Sequence, residues 1–284
     1  MLTSQSIPFL MLEEAGVHRL VVEEHWVAAA LEQLRRYEEE NRGFRLRRVL
    51  PPAAPFARSG TALFALTLVA LALAQWNSAL GPDWSAAGVA HAAAIRAGEL
   101  QRTATALTLH ADVPHLLSNL VFGTLFSYLL FHSCGGGLGA LALLLAGMLG
   151  NWINAWVQAP EHFSLGASTA VFGALGLLGG SEARTRHLLR EPDARRFAPV
   201  GATLLLLLYL GVGHLHGEGE RWPTSQVDVL AHVFGLLSGL ALGAVLGSVP
   251  RARIEQHGLQ LASGLTACVV LASCWALALG RTPG

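Results

Sequence analysis

From residue 60 onward the chain is one apolar run after another, built mainly from Leu, Ala, Gly and Val with short polar breaks between. Seven runs can be counted, at about 60–76, 115–131, 137–157, 167–180, 198–213, 228–247 and 259–279. A helix needs roughly 20 apolar residues to cross a hydrocarbon core ~30 Å thick, and most of these runs approach that length. Charged residues make up only 13% of the chain, against about 25% in ordinary soluble domains. Many of them crowd into residues 1–58, a dense mixture of Glu and Arg. The expected fold is therefore an all-α polytopic membrane protein with a small soluble N-terminal α+β head.

The fourth run is short. From Ser168 to Gly180 a helix rises only about 20 Å, so either it begins inside the membrane or it continues into the polar "SEARTRHLLR". Arginine placement gives the expected orientation. Every basic residue is Arg, and alternating seven spans puts fifteen of them on one side and four (Arg96, Arg102, Arg221 and Arg281) on the other. That predicts a cytoplasmic N-terminus and a bacterial inner (cytoplasmic) membrane location. The first eighteen residues contain Glu13 and Glu14 and no Arg, against a mitochondrial presequence, and no cleavable signal peptide is evident. Formal net charge is zero, so no field points to nucleic acid. Cys134, Cys268 and Cys274 form neither a disulfide framework nor a CxxC pair. No metal or other cofactor is expected.

The head reads as short apolar stretches, a Gly turn and a helix with Val27, Leu31, Leu34 and Tyr37 on one face. A domain of this size is marginal alone, so a small α+β fold and a segment ordered only by a partner both remain open. Its expected role is regulation or contact with a partner that the sequence does not identify.

Three polar insertions interrupt the apolar helices. The second opens "HADVPHLLSNL", with His115 and Asn119 four residues apart on one face. The fourth opens at Ser168, and His232 lies about one turn into the sixth. Taken singly, Ser168 reads as helix-packing glue, His232 as a helix-bridging residue, and the His115–Asn119 pair as polar residues at a helix mouth. All three lie toward the outer side, however. A serine, a histidine and a donor pair at matched depth make a nucleophile, a base and an oxyanion hole. Gly235, Gly239 and Gly243 recur every four residues behind His232, and Gly173 and Gly176 thin the fourth helix. Such faces let backbones approach closely, as a Ser–His bond of roughly 3 Å across two helices requires. Asp228, four residues before His232, invites a triad reading. Its short side chain leans toward the preceding loop, which favours a helix cap.

Four segments resemble the rhomboid intramembrane serine proteases. "GASTAVFG" is similar to the family's Gly-Ala-Ser-Gly-x-x-Phe-Gly, "AHVFGLLSGLALG" to Ala-His-x-x-Gly-x-x-x-Gly, and "HADVPHLLSN" to His-x4-His-x-x-x-Asn. "GELQRTATALTLHAD" resembles the first outer loop, with Gln101-Arg102 where Trp-Arg is usual. The resemblance covers about residues 60–250 and implies a six-helix catalytic core over 57–250, a head over 1–56, and a seventh helix with a short tail over 251–284. It implies Ser168 as nucleophile and His232 as general base. The Ser168 N–H with the His115 and Asn119 side chains would form the oxyanion hole. Gly166, Ala167, His110, Gly235 and Gly239 would support them. Two departures stand out: Thr169 replaces a Gly, placing a β-branched side chain beside the attacked carbonyl, and Leu100-Gln101 replaces an aromatic pair. The implied activity is cleavage of other membrane proteins in or near their transmembrane segments, with substrates entering from the lipid bilayer. The polar loop 214–228 is expected to gate water and substrate. The alternatives are a non-catalytic relative that binds membrane proteins for quality control, and a transporter. A transporter would place carboxylates in mid-membrane, and no helix core here carries one.

Overall fold

A computed structural model describes residues 7–14, 17–40, 52–79, 81–188, 198–211 and 228–280. Residues 214–227 of the loop expected to gate the site lie outside them, as do Arg42, Arg45, Arg47, Arg48, Arg190, Arg195, Arg196, Arg221 and Arg281. The chain divides into two compact units, Met1–Leu50 and Pro51–Gly284.

In the first unit β1 (Leu10–Glu14) pairs antiparallel with β2 (Val17–Val21), Leu10 opposite Val21 and Glu14 opposite Val17. Helix α1 (Val27–Glu40) follows, laced on its surface by pairs such as Arg35–Glu32 at 3.0 Å and Arg36–Glu40 at 3.1 Å. The small core is Ile7 and Ala30 with Phe9, Val22 and Trp26 packed against it. The apolar face of α1 is largely open. Val27, Leu31 and Tyr37 are exposed within this unit, and Val27 and Leu31 line an open groove with Leu34 and Val21. Among the described residues of this unit, two strands and one helix supply too little sheet to cover that face.

The second unit is helical. Its elements are α2 (Ala57–Trp76), α3 (Trp84–Gly88), β3 (Ala90–His91), α4 (Ala92–Arg96), α5 (Arg102–Thr105), α6 (Val113–Cys134), α7 (Gly136–Val157), β4 (Phe163–Ser164), α8 (Ser168–Leu188), α9 (Ala198–Gly211), α10 (Val229–Leu246), α11 (Arg251–Ile254) and α12 (His257–Leu279). Among the described residues five helices, α2, α6, α7, α10 and α12, are long and apolar enough to cross a membrane. Their outer faces carry Leu66, Leu117, Val121, Leu237, Val245, Leu265 and Val269 in the open, an apolar surface that water would not tolerate and lipid would. The protein is a multi-pass membrane protein. All seven apolar runs are helical over their described residues. The fourth continues into the polar stretch as far as Leu188, 21 residues or about 31 Å, with Glu182, Arg184 and Arg186 in its last turns.

Helix α8 is the centre of the bundle. Every residue from Thr169 to Gly180 except Leu178 is buried, packed among α6, α7, α9 and, most extensively, α10. Glycines set the α8–α10 distance. A Cβ on Gly235 would run into the Thr169 carbonyl, one on Gly239 into that of Gly173, and one on Gly176 into that of Leu236. Two helix backbones touch there, which only residues without side chains permit.

The stretch 84–112 folds into short elements tied to the bundle. Arg102 donates to the Ala86 and Val89 carbonyls at 3.0 Å each and pairs with Glu99. Thr105 Oγ1 donates to the Gly88 carbonyl, and Asn151 Nδ2 to that of Thr103. In place of the aromatic pair, Leu100 is exposed and Gln101 buried. At the other side of the bundle α12 docks through Gln260. Its Oε1 accepts the Gly137 and Leu138 N–H groups, and its Nε2 donates to the Cys134 and Ile254 carbonyls.

Candidate active site

Ser168 is the first residue of α8. The chain reaches it through β4, which pairs with β3 (Ala90 opposite Ser164, His91 opposite Phe163), and then through Gly166. That glycine has φ +126°, a conformation costly to any residue with a Cβ. Its N–H donates to the Ala106 carbonyl at 2.9 Å. Ala167 is buried, leaving Ser168 half-exposed at the helix mouth.

His232 lies on the first turn of α10 and is buried. Its Nε2 is 2.9 Å from Ser168 Oγ. In the tautomer with a proton on Nδ1, Nε2 accepts from the serine hydroxyl, the arrangement a general base needs. Among the described residues His232 Nδ1 has no hydrogen-bond partner. The ring instead lies against Phe172, one turn beyond Ser168, with centroids 4.5 Å apart and planes at 30°.

His115 reaches the same point from α6. A Cβ on Gly166 would stand 2.7 Å from His115 Cε1 and Nε2 and 3.7 Å from Ser168 Oγ. The imidazole edge and the hydroxyl therefore flank one bare glycine. Asn119 is buried one turn further on, its Nδ2 donating to the His115 carbonyl at 3.0 Å. An amide has two N–H bonds, so one donor is left over. His110 is fully buried with its ring edge-on to His115, centroids 5.3 Å apart. Gln75 Oε1 accepts its backbone N–H and Trp76 Nε1 donates to its carbonyl. Burial, and then the neighbouring His115 ring, push its pKa down to about 3, outweighing the pull of Thr108 and Asp112. The ring is neutral at any physiological pH.

Two expectations meet the structure differently. Asp228 is the N-cap of α10, accepting the Ala231 N–H at 3.0 Å, as the capping argument requires. Thr169 is a correction. Its Cγ2 sits in the crossing of three helices, where Cβ atoms on Gly150 and Gly235 would meet it at 2.8 and 3.1 Å. One residue past Ser168 a helix has turned about 100°, so the methyl points away from the Ser168 direction and fills the α7–α8–α10 junction.

Sequence reasoning missed a polar cluster at the mouth. Asp228 also accepts from Asn154 Nδ2 at 2.7 Å, Gln158 Nε2 at 3.3 Å and His162 Nε2 at 2.7 Å. Burial raises the Asp228 pKa, but the hydrogen bonds from His162, Ala231 and Asn154 outweigh it and hold the carboxyl at about 2. A signal existed: Asn151, Asn154 and Gln158 recur at helical spacing in an otherwise apolar run. Among the described residues no three His, Cys, Asp or Glu side chains converge as a metal site requires.

Residues 97–249, over half of the chain, match the Rhomboid domain. The chain belongs to the rhomboid family. The matched span contains His110, His115, Asn119, Ser168 and His232. Rhomboid-like protease 3 of Toxoplasma gondii is 32% identical over 156 residues, 55% of this chain and 55% of its own. Putative rhomboid protease YdcA of Bacillus subtilis is 27% identical over 146 residues, 51% of this chain and 66% of its own. Rhomboid protease GluP of the same organism is 29% identical over 159 residues, 56% of this chain but 28% of its own. The chain thus spans between about a quarter and two thirds of these rhomboid relatives.

Proposed function

We propose that this chain is an intramembrane serine protease that cuts other membrane proteins in or near their transmembrane segments. The observation that carries the reading is the 2.9 Å contact between Ser168 Oγ and His232 Nε2, made between helices whose backbones glycine holds in contact. As the hydroxyl oxygen attacks a peptide carbonyl, His232 Nε2 takes its proton and then gives it to the leaving amine. The developing oxyanion meets the Ser168 N–H, the His115 edge and the free Asn119 N–H. Water, deprotonated by the same histidine, releases the acyl group and regenerates the hydroxyl. Neutral His110 backs His115 without adding charge. Residues 57–250 carry the chemistry in this reading. The arginine-rich side faces the cytoplasm, and the site opens toward the outer face. Relatives bearing the name protease favour catalysis over a purely binding role.

A serine-directed fluorophosphonate tests this directly. Wild type should label at Ser168, and Ser168→Ala and His232→Ala should not. Wild type left unlabelled in a folded preparation would turn the reading toward a binding protein.

A further inference from the structure

The cluster around Asp228 holds more bonds than a helix cap needs. A cap satisfies one or two free N–H groups at a helix start, and here the Ala231 N–H already serves that purpose. The same carboxylate also accepts from Asn154 and Gln158 at the end of α7, and from His162 in the loop beyond it. Its side chain is only 10% exposed. Stripping water from a carboxylate is costly unless several donors replace it, so four converging donors mark a built junction.

The position of that junction in the chain gives it a use. His162 stands six residues before Ser168, and Asp228 four residues before His232. The 2.7 Å His162–Asp228 bond therefore ties the approach to the nucleophile to the approach to the base, across 66 residues of sequence. The glycine face below fixes how closely α8 and α10 approach. Those contacts run along the helix bodies from Thr169 and Gly235 onward. The helix starts that carry Ser168 and His232 can still slide or rotate slightly, because helix ends open more readily than helix interiors. A near-attack geometry tolerates little of either. The loop's other ties near His162 run to residues 91–106. The Ala92 and Ala93 N–H groups donate to the His162 and Pro160 carbonyls, Phe163 stacks on His91, Arg96 donates to the Gln158 carbonyl, and Gly166 N–H donates to the Ala106 carbonyl. None of these reaches α10.

We propose that Asp228 and His162 are positioning residues, whose contact sets the register between Ser168 and His232. This rests on the protease reading above. The test is a double-mutant cycle of Asp228→Ala and His162→Ala in the full chain, with three readouts: the rate of Ser168 labelling by a fluorophosphonate, kcat and KM on a transmembrane substrate, and the melting temperature in detergent. Each single substitution should slow labelling and kcat by ~10–100-fold, as a misplacement of about 1 Å would, while KM stays within about twofold. The double variant should be no slower than the worse single one. His162→Gln, which keeps an N–H donor for Asp228, should recover most of the labelling rate, and it carries the test if Asp228→Ala fails to fold. Labelling at the wild-type rate in folded His162→Ala, losses that multiply in the double variant, or losses matching the unfolded fraction would overturn the proposal and leave the protease reading standing. Wild type that never labels removes both.

Discussion

Two histidines at the mouth of the bundle have opposite company. His162 has a carboxylate 2.7 Å from its Nε2 and is partly exposed. His232, the proposed base, is buried with a serine at 2.9 Å on one nitrogen and, among the described residues, no hydrogen-bond partner on the other. In a Ser-His-Asp arrangement a buried carboxylate orients the base and stabilises its imidazolium. Here the carboxylate nearest in sequence is bonded to the other histidine. The base ring is held instead by Phe172 and by the close approach of two helices. Packing can replace an ionic partner where the backbone itself is immobile, and the dense α8–α10 contact supplies that rigidity.

The largest effect separates the two histidines outright. Ser168→Ala and His232→Ala should each reduce cleavage of a transmembrane substrate to background, with expression and melting temperature unchanged. His162→Ala should retain measurable turnover. Near-wild-type cleavage in either dyad variant would place the chemistry elsewhere.

Next comes the donor pair. Losing one oxyanion donor typically lowers kcat by ~10²–10³, about 2.7–4 kcal/mol. Asn119→Ala should do this with KM little changed, through the one N–H that the His115 carbonyl leaves free. A change confined to apparent affinity would make Asn119 a packing residue.

A smaller effect probes what replaces the carboxylate. An aromatic pair contributes about 0.5–1.5 kcal/mol beyond its buried area. Phe172→Leu should therefore lower kcat by up to about tenfold, while Phe172→Tyr keeps it. Turnover unaffected by the leucine would mean that the helices alone orient His232.

Much of this arrangement was legible in the sequence. The apolar runs located the helices closely, 137–157 against Gly136–Val157 and 228–247 against Val229–Leu246, because lipid-spanning helices must be continuous and apolar. Ser168 and His232 stood out because a polar group inside such a run needs a partner. What the runs hid was anything decided by tertiary contact. Helices as short as α3, α4 and α5 have no stability alone and depend on groups such as Arg102 and Thr105 reaching across the loop. The direction of the Thr169 methyl followed from glycines on two other helices. In α1 the apolar spacing put Val27, Leu31, Leu34 and Tyr37 on one face, but what covers such a face is decided by tertiary contact, and Leu31 is 60% exposed.

The gentlest substitution tests the carboxylate half of the comparison. Asp228→Asn keeps one oxygen that can accept from Ala231 or His162, so turnover should stay within about tenfold of wild type, or 1.4 kcal/mol. Its signature should appear in stability against pH. The Asp228 pKa is about 2, lowered from 3.8. A carboxyl depressed on folding stabilises the native state fully above its unfolded pKa, and that contribution fades as pH falls toward the folded value. The wild type should therefore out-melt Asp228→Asn above about pH 4, by at most about 2 kcal/mol, with the gap closing between pH ~4 and ~2. A gap that stays constant with pH would mean that the hydrogen bonds matter and the charge does not. The carboxylate would then act on His162 as a neutral amide could, and the contrast between the two histidines would reduce to geometry.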